Sequence, residues 1–167
     1  MDIELQAKLY QTYPNFFRRP RRLNSSNPNG WNVGPLDWWG IECGNGWYKL
    51  IDNLVRQYEE HIQQLIAQGV PKRSWPRALQ AKEKLAGLRV YVSNARRLPA
   101  SLIESKEQAE AASMVTCETC GQPGVRRTAG YLYVACDDCC RARRVATSTD
   151  LNDYLQRLRA VLAARSV

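Results

Sequence analysis

Two cysteine pairs constrain this chain more than any other feature. Cys117-Glu-Thr-Cys120-Gly121 lies fifteen residues before Cys136-Asp-Asp-Cys139, a CxxC-x15-CxxC arrangement within the range of four-cysteine zinc sites. Thiolates are soft ligands, and each CxxC bends the chain so that both sulfurs reach one tetrahedral ion. Gly121 suits the tight turn behind the first pair. Between the pairs, residues 124–130 and 131–135 predict two short strands turning near Thr128-Ala-Gly130, which makes a zinc ribbon. Cys139 completes the second CxxC and is the expected fourth ligand, with the adjacent Cys140 as the alternative. MDIELQAKLY lacks a basic-then-apolar signal pattern, so a reducing compartment is expected, where metal is favoured over disulfides. Two pairs at this spacing also favour metal over a thioredoxin-like redox pair, and iron is the chemical alternative to zinc. Four protein ligands close the coordination shell, so the expected cofactor is a structural Zn2+ on which folding of the segment depends.

The rest of the chain is ordinary globular material. It has 167 residues, 44% of them hydrophobic, and no apolar run long enough to span a membrane. Basic residues exceed acidic ones by 24 to 16, giving a formal charge of +8 that four thiolates and a divalent ion would lower to +6. The segment 47–98 carries +6 of the excess, so a basic face is expected there. Such a field steers acidic partners of any kind, nucleic acid and protein alike.

Periodicity assigns the remaining elements. Asp2 is placed to cap a helix through Tyr10, which Tyr13-Pro14 ends. Phe16-Phe17-Arg18-Arg19-Pro20-Arg21-Arg22 opens a loop or mobile arm over about residues 16–30. Its Arg18, Arg19, Arg21 and Arg22 combine with apolar rings as nucleic-acid contacts do, although charge runs more often face water around a core anchor. Residues 46–68 show the strongest helical pattern, with apolar positions three and four apart from Trp47 to Ile66 and a stop at Gly69 and Pro71. Residues 77–93 predict a β-hairpin turning near Ala86-Gly87. Ser101-Leu-Ile-Glu104 has capping-box spacing for a helix over 102–114, and Ser148 or Thr149 can cap a last amphipathic helix. The expected architecture is α+β: a core domain over 1–115, a ribbon over 116–147 and a helix over 148–167 that closes the domain or pairs with a second copy.

No catalytic set stands out. His61 is the single histidine, without HExxH spacing, and GxGxxG, GxxxxGK[ST] and GxSxG are absent. Cys43 precedes a helix start, where the dipole can lower a thiol, but catalysis would need a base and His61 is the single histidine candidate; the main expectation is a structural turn cysteine, with a catalytic thiol or an additional metal ligand as the alternatives. The tryptophans at 31, 38, 39, 47 and 75 offer either core anchors or a contact surface. Arg126 and Arg127, on the ribbon turn, are candidate binding residues for a partner.

Gly40-Ile-Glu-Cys-Gly-Asn-Gly-Trp47 opening a long helix, Lys82-Glu-Lys-Leu-Ala-Gly-Leu-Arg-Val-Tyr91, and the two cysteine pairs occur in this order. Over roughly residues 8–141 the combination resembles a family of small phage and prophage proteins whose members read ECGDGW and KEKFGGLR. Asn45, Leu85 and Ala86 depart from that pattern. The resemblance implies a phage or prophage product in the cytoplasm of a bacterial host, and no particular reaction. The expected function is that of a non-enzymatic zinc protein that binds a host protein or ribonucleoprotein complex and inhibits or redirects it, as anti-CRISPR proteins do. The alternative is direct nucleic-acid binding by the arginine arm and ribbon.

Overall fold

A computed structural model describes residues 1–18, 34–128, 131–142 and 148–164. The fold is α+β. Its axis is α3 (Tyr48–Ala67), whose apolar stripe buries Ile51, Leu54, Val55, Tyr58 and Ile62. Burying side chains of this size contributes about 1.5–3 kcal/mol each, which is what holds an amphipathic helix in place. Gly69 terminates it at φ +71°. The Gly69 and Val70 amides donate to the carbonyls of Ile66 and Leu65 at 3.0 and 2.9 Å, closing the helix end in a Schellman motif.

The hairpin packs beside α3. β2 (Ala78–Lys84) pairs antiparallel with β3 (Gly87–Val92), and β1 (Ile41–Glu42) adds in parallel to β2. The turn residues are Leu85 and Ala86, at φ +54° and +66°, one position earlier than the glycine suggested. Gly87 instead begins β3, where an added Cβ would lie 2.9 Å from the Arg89 guanidinium and 3.2 Å from Met114 Cε. Close approach, rather than turn conformation, explains that glycine.

Polar hubs join the layers. α1 (Ile3–Thr12) carries Gln6, fully buried, which accepts from Tyr10 Oη at 3.0 Å and from the Ile41 amide at 2.8 Å, and donates to Tyr154 Oη at 3.0 Å. One amide side chain thus ties α1 to β1 and to α6 (Ser148–Ala164). Asp2 is the N-cap position, yet its side chain accepts from Asn45 Nδ2 at 2.5 Å instead of capping the helix. Leu158 and Leu162 of α6 are buried in the main core, and Arg157 pairs with Glu4. That face of α6 is packed within the chain. α4 (Ala100–Ser113) starts two residues earlier than the capping-box spacing implied. Pro99, fixed at φ −65°, serves as its N-cap, and Ser105 Oγ donates to the Ser101 carbonyl inside the helix.

Phe16 and Phe17 are core residues: Phe16 stacks on Tyr58 with ring centroids 4.7 Å apart. Glu59 holds this stretch from α3, accepting from Asn15 Nδ2 at 2.6 Å and from the Phe16 amide at 2.8 Å. Between the arm and β1, α2 (Pro35–Trp39) is a short element that the periodicity did not signal. Among the described residues, no helix is long and apolar enough to cross a membrane.

Candidate metal centre

The ribbon is built from two short strands and two knuckles. β4 (Val125–Arg127) pairs antiparallel with β5 (Tyr133–Ala135), and α5 (Asp137–Ala142) follows. The first knuckle is closed by the Gly121 amide donating to the Cys117 carbonyl at 2.9 Å, with Gly121 at φ +78°. In the second, the Cys139 amide points at Cys136 Sγ at 3.4 Å and the Cys140 amide donates to the Cys136 carbonyl at 2.9 Å. Backbone N–H groups aimed at sulfur favour thiolate over thiol.

These turns bring the sulfurs of Cys117, Cys120, Cys136 and Cys139 within 4.8 Å of one another, and all four are free thiols. Cys120 and Cys136 Sγ are 3.7 Å apart, far beyond a disulfide bond and close to the edge of a tetrahedron around one ion. Cys140 lies outside this group and faces Tyr133 Oη at 3.5 Å. The electrostatics match a cation site. Burial alone would raise the Cys117 thiol, but hydrogen bonds from the amides of Cys136, Cys120 and Thr119 outweigh it and lower the thiol to about 6. Cys139 is pushed up by its hydrogen bonds with Cys120 and Cys136. The Cys117 thiolate forms readily, while Cys120 and Cys139 resist ionisation until a cation neutralises them. The donor set, four thiols with no carboxylate or imidazole, suits a soft metal ion such as zinc or iron.

The ribbon is docked on the start of α3 by backbone contacts. The Gly46 amide donates to the Glu118 carbonyl at 2.8 Å, and the Gly44 amide donates to Glu118 Oε1 at 2.9 Å. Glu118 in turn donates its amide to the Val134 carbonyl at 3.0 Å, so the residue between two ligands stitches β5 to the core. Trp47 Nε1 donates to the Thr116 carbonyl at 2.8 Å. A Cβ on Gly46 would overlap the Cys117 carbonyl oxygen and the Gly121 amide nitrogen, and one on Gly44 would overlap the Glu118 carbonyl. These glycines are therefore the seat of the metal knuckle. Gly46→Ala is expected to lower metal affinity at least tenfold and to cost about 2 kcal/mol, the usual scale of overpacking; a chelator titration and a urea melt measure the two.

The other candidate residues fall into distinct environments. Arg18 is not a free phosphate reader: its guanidinium donates to the carbonyls of Asn15 and, at 2.9 and 2.7 Å, of Pro76 and Trp75, and it lies 5.6 Å from the Trp75 ring centroid. Burial, reinforced by Arg77, lowers it to about 10. Arg19, Arg21 and Arg22 lie outside the described residues, as do Trp31 and the ribbon turn at 129–130. Arg127 pairs with Asp137, binding β4 to α5, whereas Arg126 is exposed. Cys43 is buried, and that burial pushes its thiol up to about 12, the reverse of an activated thiolate. Trp47 is fully buried, while Trp38 and Trp39 are 46% and 52% exposed. Glu118 escaped the sequence reading because nothing in a CxxC spacing marks the residue after the first ligand. Comparison with protein-family profiles, curated proteins and solved structures finds no match to this chain.

Proposed function

We propose that this chain is a zinc-structured, non-enzymatic binding protein that engages a macromolecular complex of a bacterial host, the role expected of a small phage or prophage accessory product. Inhibition of a defence complex is one form such engagement takes. The closed set of four thiols carries the reading, because a fully ligated ion holds no position for substrate and acts by fixing the surface around it. That surface is apolar where hairpin and ribbon meet. Leu85 at the hairpin tip is 64% exposed, Met114 lies beside Gly87, and Val115 and Val125 are 64% and 56% exposed. The Gly124 amide donates to the Val115 carbonyl at 2.9 Å, which ties the stretch that leads into Val125 to the one that carries Val115. Exposed apolar clusters rimmed by polar residues favour protein contact, and holding Leu85 and Ala86 at positive φ is strain of the kind that accompanies functional positions.

Affinity capture from bacterial lysate with the zinc-loaded protein, after nuclease treatment, tests this. One stoichiometric protein partner is expected, and its recovery should fall at least tenfold with Leu85→Asp plus Val115→Asp. Recovery of no specific protein, or of nucleic acid alone in an untreated lysate, would overturn the reading.

A further inference from the structure

The hairpin has a second end, opposite the ribbon, and its chemistry is different. The ladder of β2 and β3 continues past the strands, with the Ser93 amide donating to the Arg77 carbonyl at 2.9 Å and the Arg77 amide donating to Ser93 Oγ at 3.0 Å. Beyond it, the turn at Lys72–Ser74 and the turn at Ala95–Arg97 face each other across a depression of about 520 Å³. Its lining is Arg73, Ser74, Asn94, Ala95, Arg96 and Arg97. Three guanidiniums and two neutral polar side chains line it, with no carboxylate. Among the described residues, none of the three arginines forms an ion pair.

The walls are braced from both sides. Asn94, in the left-handed region at φ +56°, donates Nδ2 to the carbonyls of Arg73 and Trp75 at 3.1 Å each, which clamps one turn to the other. From beneath, Arg18 holds the carbonyls of Trp75 and Pro76, and Trp75 Nε1 donates to the Val70 carbonyl at 2.8 Å. The half-buried Arg18 thus shapes the loop on which the exposed Arg73 is carried. A braced depression that gathers three exposed cations with no carboxylate in its lining attracts anions.

We propose that this depression binds the phosphodiester backbone of single-stranded nucleic acid through Arg73, Arg96 and Arg97. Planar guanidiniums recognise phosphate oxygens in bidentate fashion, and three of them suit a ligand with repeated charges. Ala95 is the one apolar residue in the lining, too little to hold a lipid chain or an aromatic ligand. Strand length separates the depression from the hairpin tip by roughly 20 Å, so variants at the two places report separate sites.

Fluorescence anisotropy with labelled oligo-dT and oligo-U tests the assignment on the metal-loaded full chain, over about 50 to 200 mM salt. The R73A/R96A/R97A variant should bind at least tenfold more weakly, with the slope of log K against log salt reduced by about 2, since each single-strand phosphate contact contributes about 0.7. Its thermal unfolding should match that of the wild type, because all three side chains are exposed. R73K/R96K/R97K should fall between the two, since charge remains while the fork is lost, and pyrophosphate should displace the strand. Wild-type protein that binds no strand at about 50 mM salt, a triple alanine variant with unchanged affinity and slope, or pyrophosphate binding without strand binding would each overturn the proposal. So would loss of binding confined to R19A/R21A/R22A.

Discussion

Stripping the metal, or replacing Cys117 by serine, is expected to unfold residues 116–142 while the helical core stays folded. The ribbon's own cluster contains little beyond Cys117, Tyr133 and Ala135. So few apolar side chains cannot offset the backbone entropy of ordering a segment this long, at about 1–2 kcal/mol per residue. An ion held by four thiolates supplies free energy on the order of 10 kcal/mol, which makes binding and folding one event. Cys117 is the decisive ligand because it is the most buried of the four and has the thiol that ionises first. Serine preserves its volume and removes the soft donor.

Three readouts check this. Elemental analysis should find one ion per chain in the wild type and less than a tenth of that in Cys117→Ser. Hydrogen exchange should show protection of the Glu118, Gly121 and Gly46 amides lost on chelation, since all three bond within or onto the first knuckle. The α3 amides should remain protected. Because protons compete with the ion for thiolates, metal should be released as pH falls, and added metal should release protons at neutral pH. Ribbon protection that survives chelation would remove the metal from the folding argument, and iron in place of zinc would change the ion without changing the coupling.

How much of this was legible in the sequence depends on the range of the interaction. The ligand spacing, the α3 stripe and the hairpin are local patterns, and periods of two, three or four residues betray them. The cysteine cluster is long-range in chain but local in chemistry, since two knuckles that each bend toward a metal need only one ion to meet. Docking of ribbon on core was not legible. Gly44 and Gly46 look like a flexible turn or a helix start, and only the Cys117 and Glu118 backbone pressed against them explains why neither can carry a side chain. Arg18 misled for the same reason: a run of arginines reads as a charged arm, yet the first of them is consumed by three backbone carbonyls on a loop more than fifty residues away. Of the charge expected on the middle third, Arg73, Arg96 and Arg97 gather at the open end of the hairpin, while Lys49, Arg56 and Lys84 are exposed outside that lining. Charge counting finds the segment but not the concavity, which depends on Asn94 adopting a positive φ.

Trp47→Ala is expected to destabilise the protein by about 3–5 kcal/mol, the range for truncating a buried aromatic side chain. Against a total of about 5–15 kcal/mol for a domain, that leaves the variant near its unfolding threshold. The indole is fully buried in the main core and donates to Thr116 at the first residue of the ribbon, so it serves two structures at once. Phenylalanine separates the two roles. Trp47→Phe keeps most of the apolar contact and orphans the Thr116 carbonyl, and should cost about 1–2 kcal/mol. The partition becomes visible in urea titrations run with and without metal. Loss of the core contact is felt in both states, whereas the bond to Thr116 exists only while the ribbon is folded. Trp47→Phe should therefore destabilise the metal-loaded protein more than the stripped one and, by linkage, weaken metal binding by roughly tenfold for each 1.4 kcal/mol of that difference. An equal effect in the two states would show that the indole N–H contributes nothing to docking, and that Glu118 and the paired glycines hold the ribbon on the core without it.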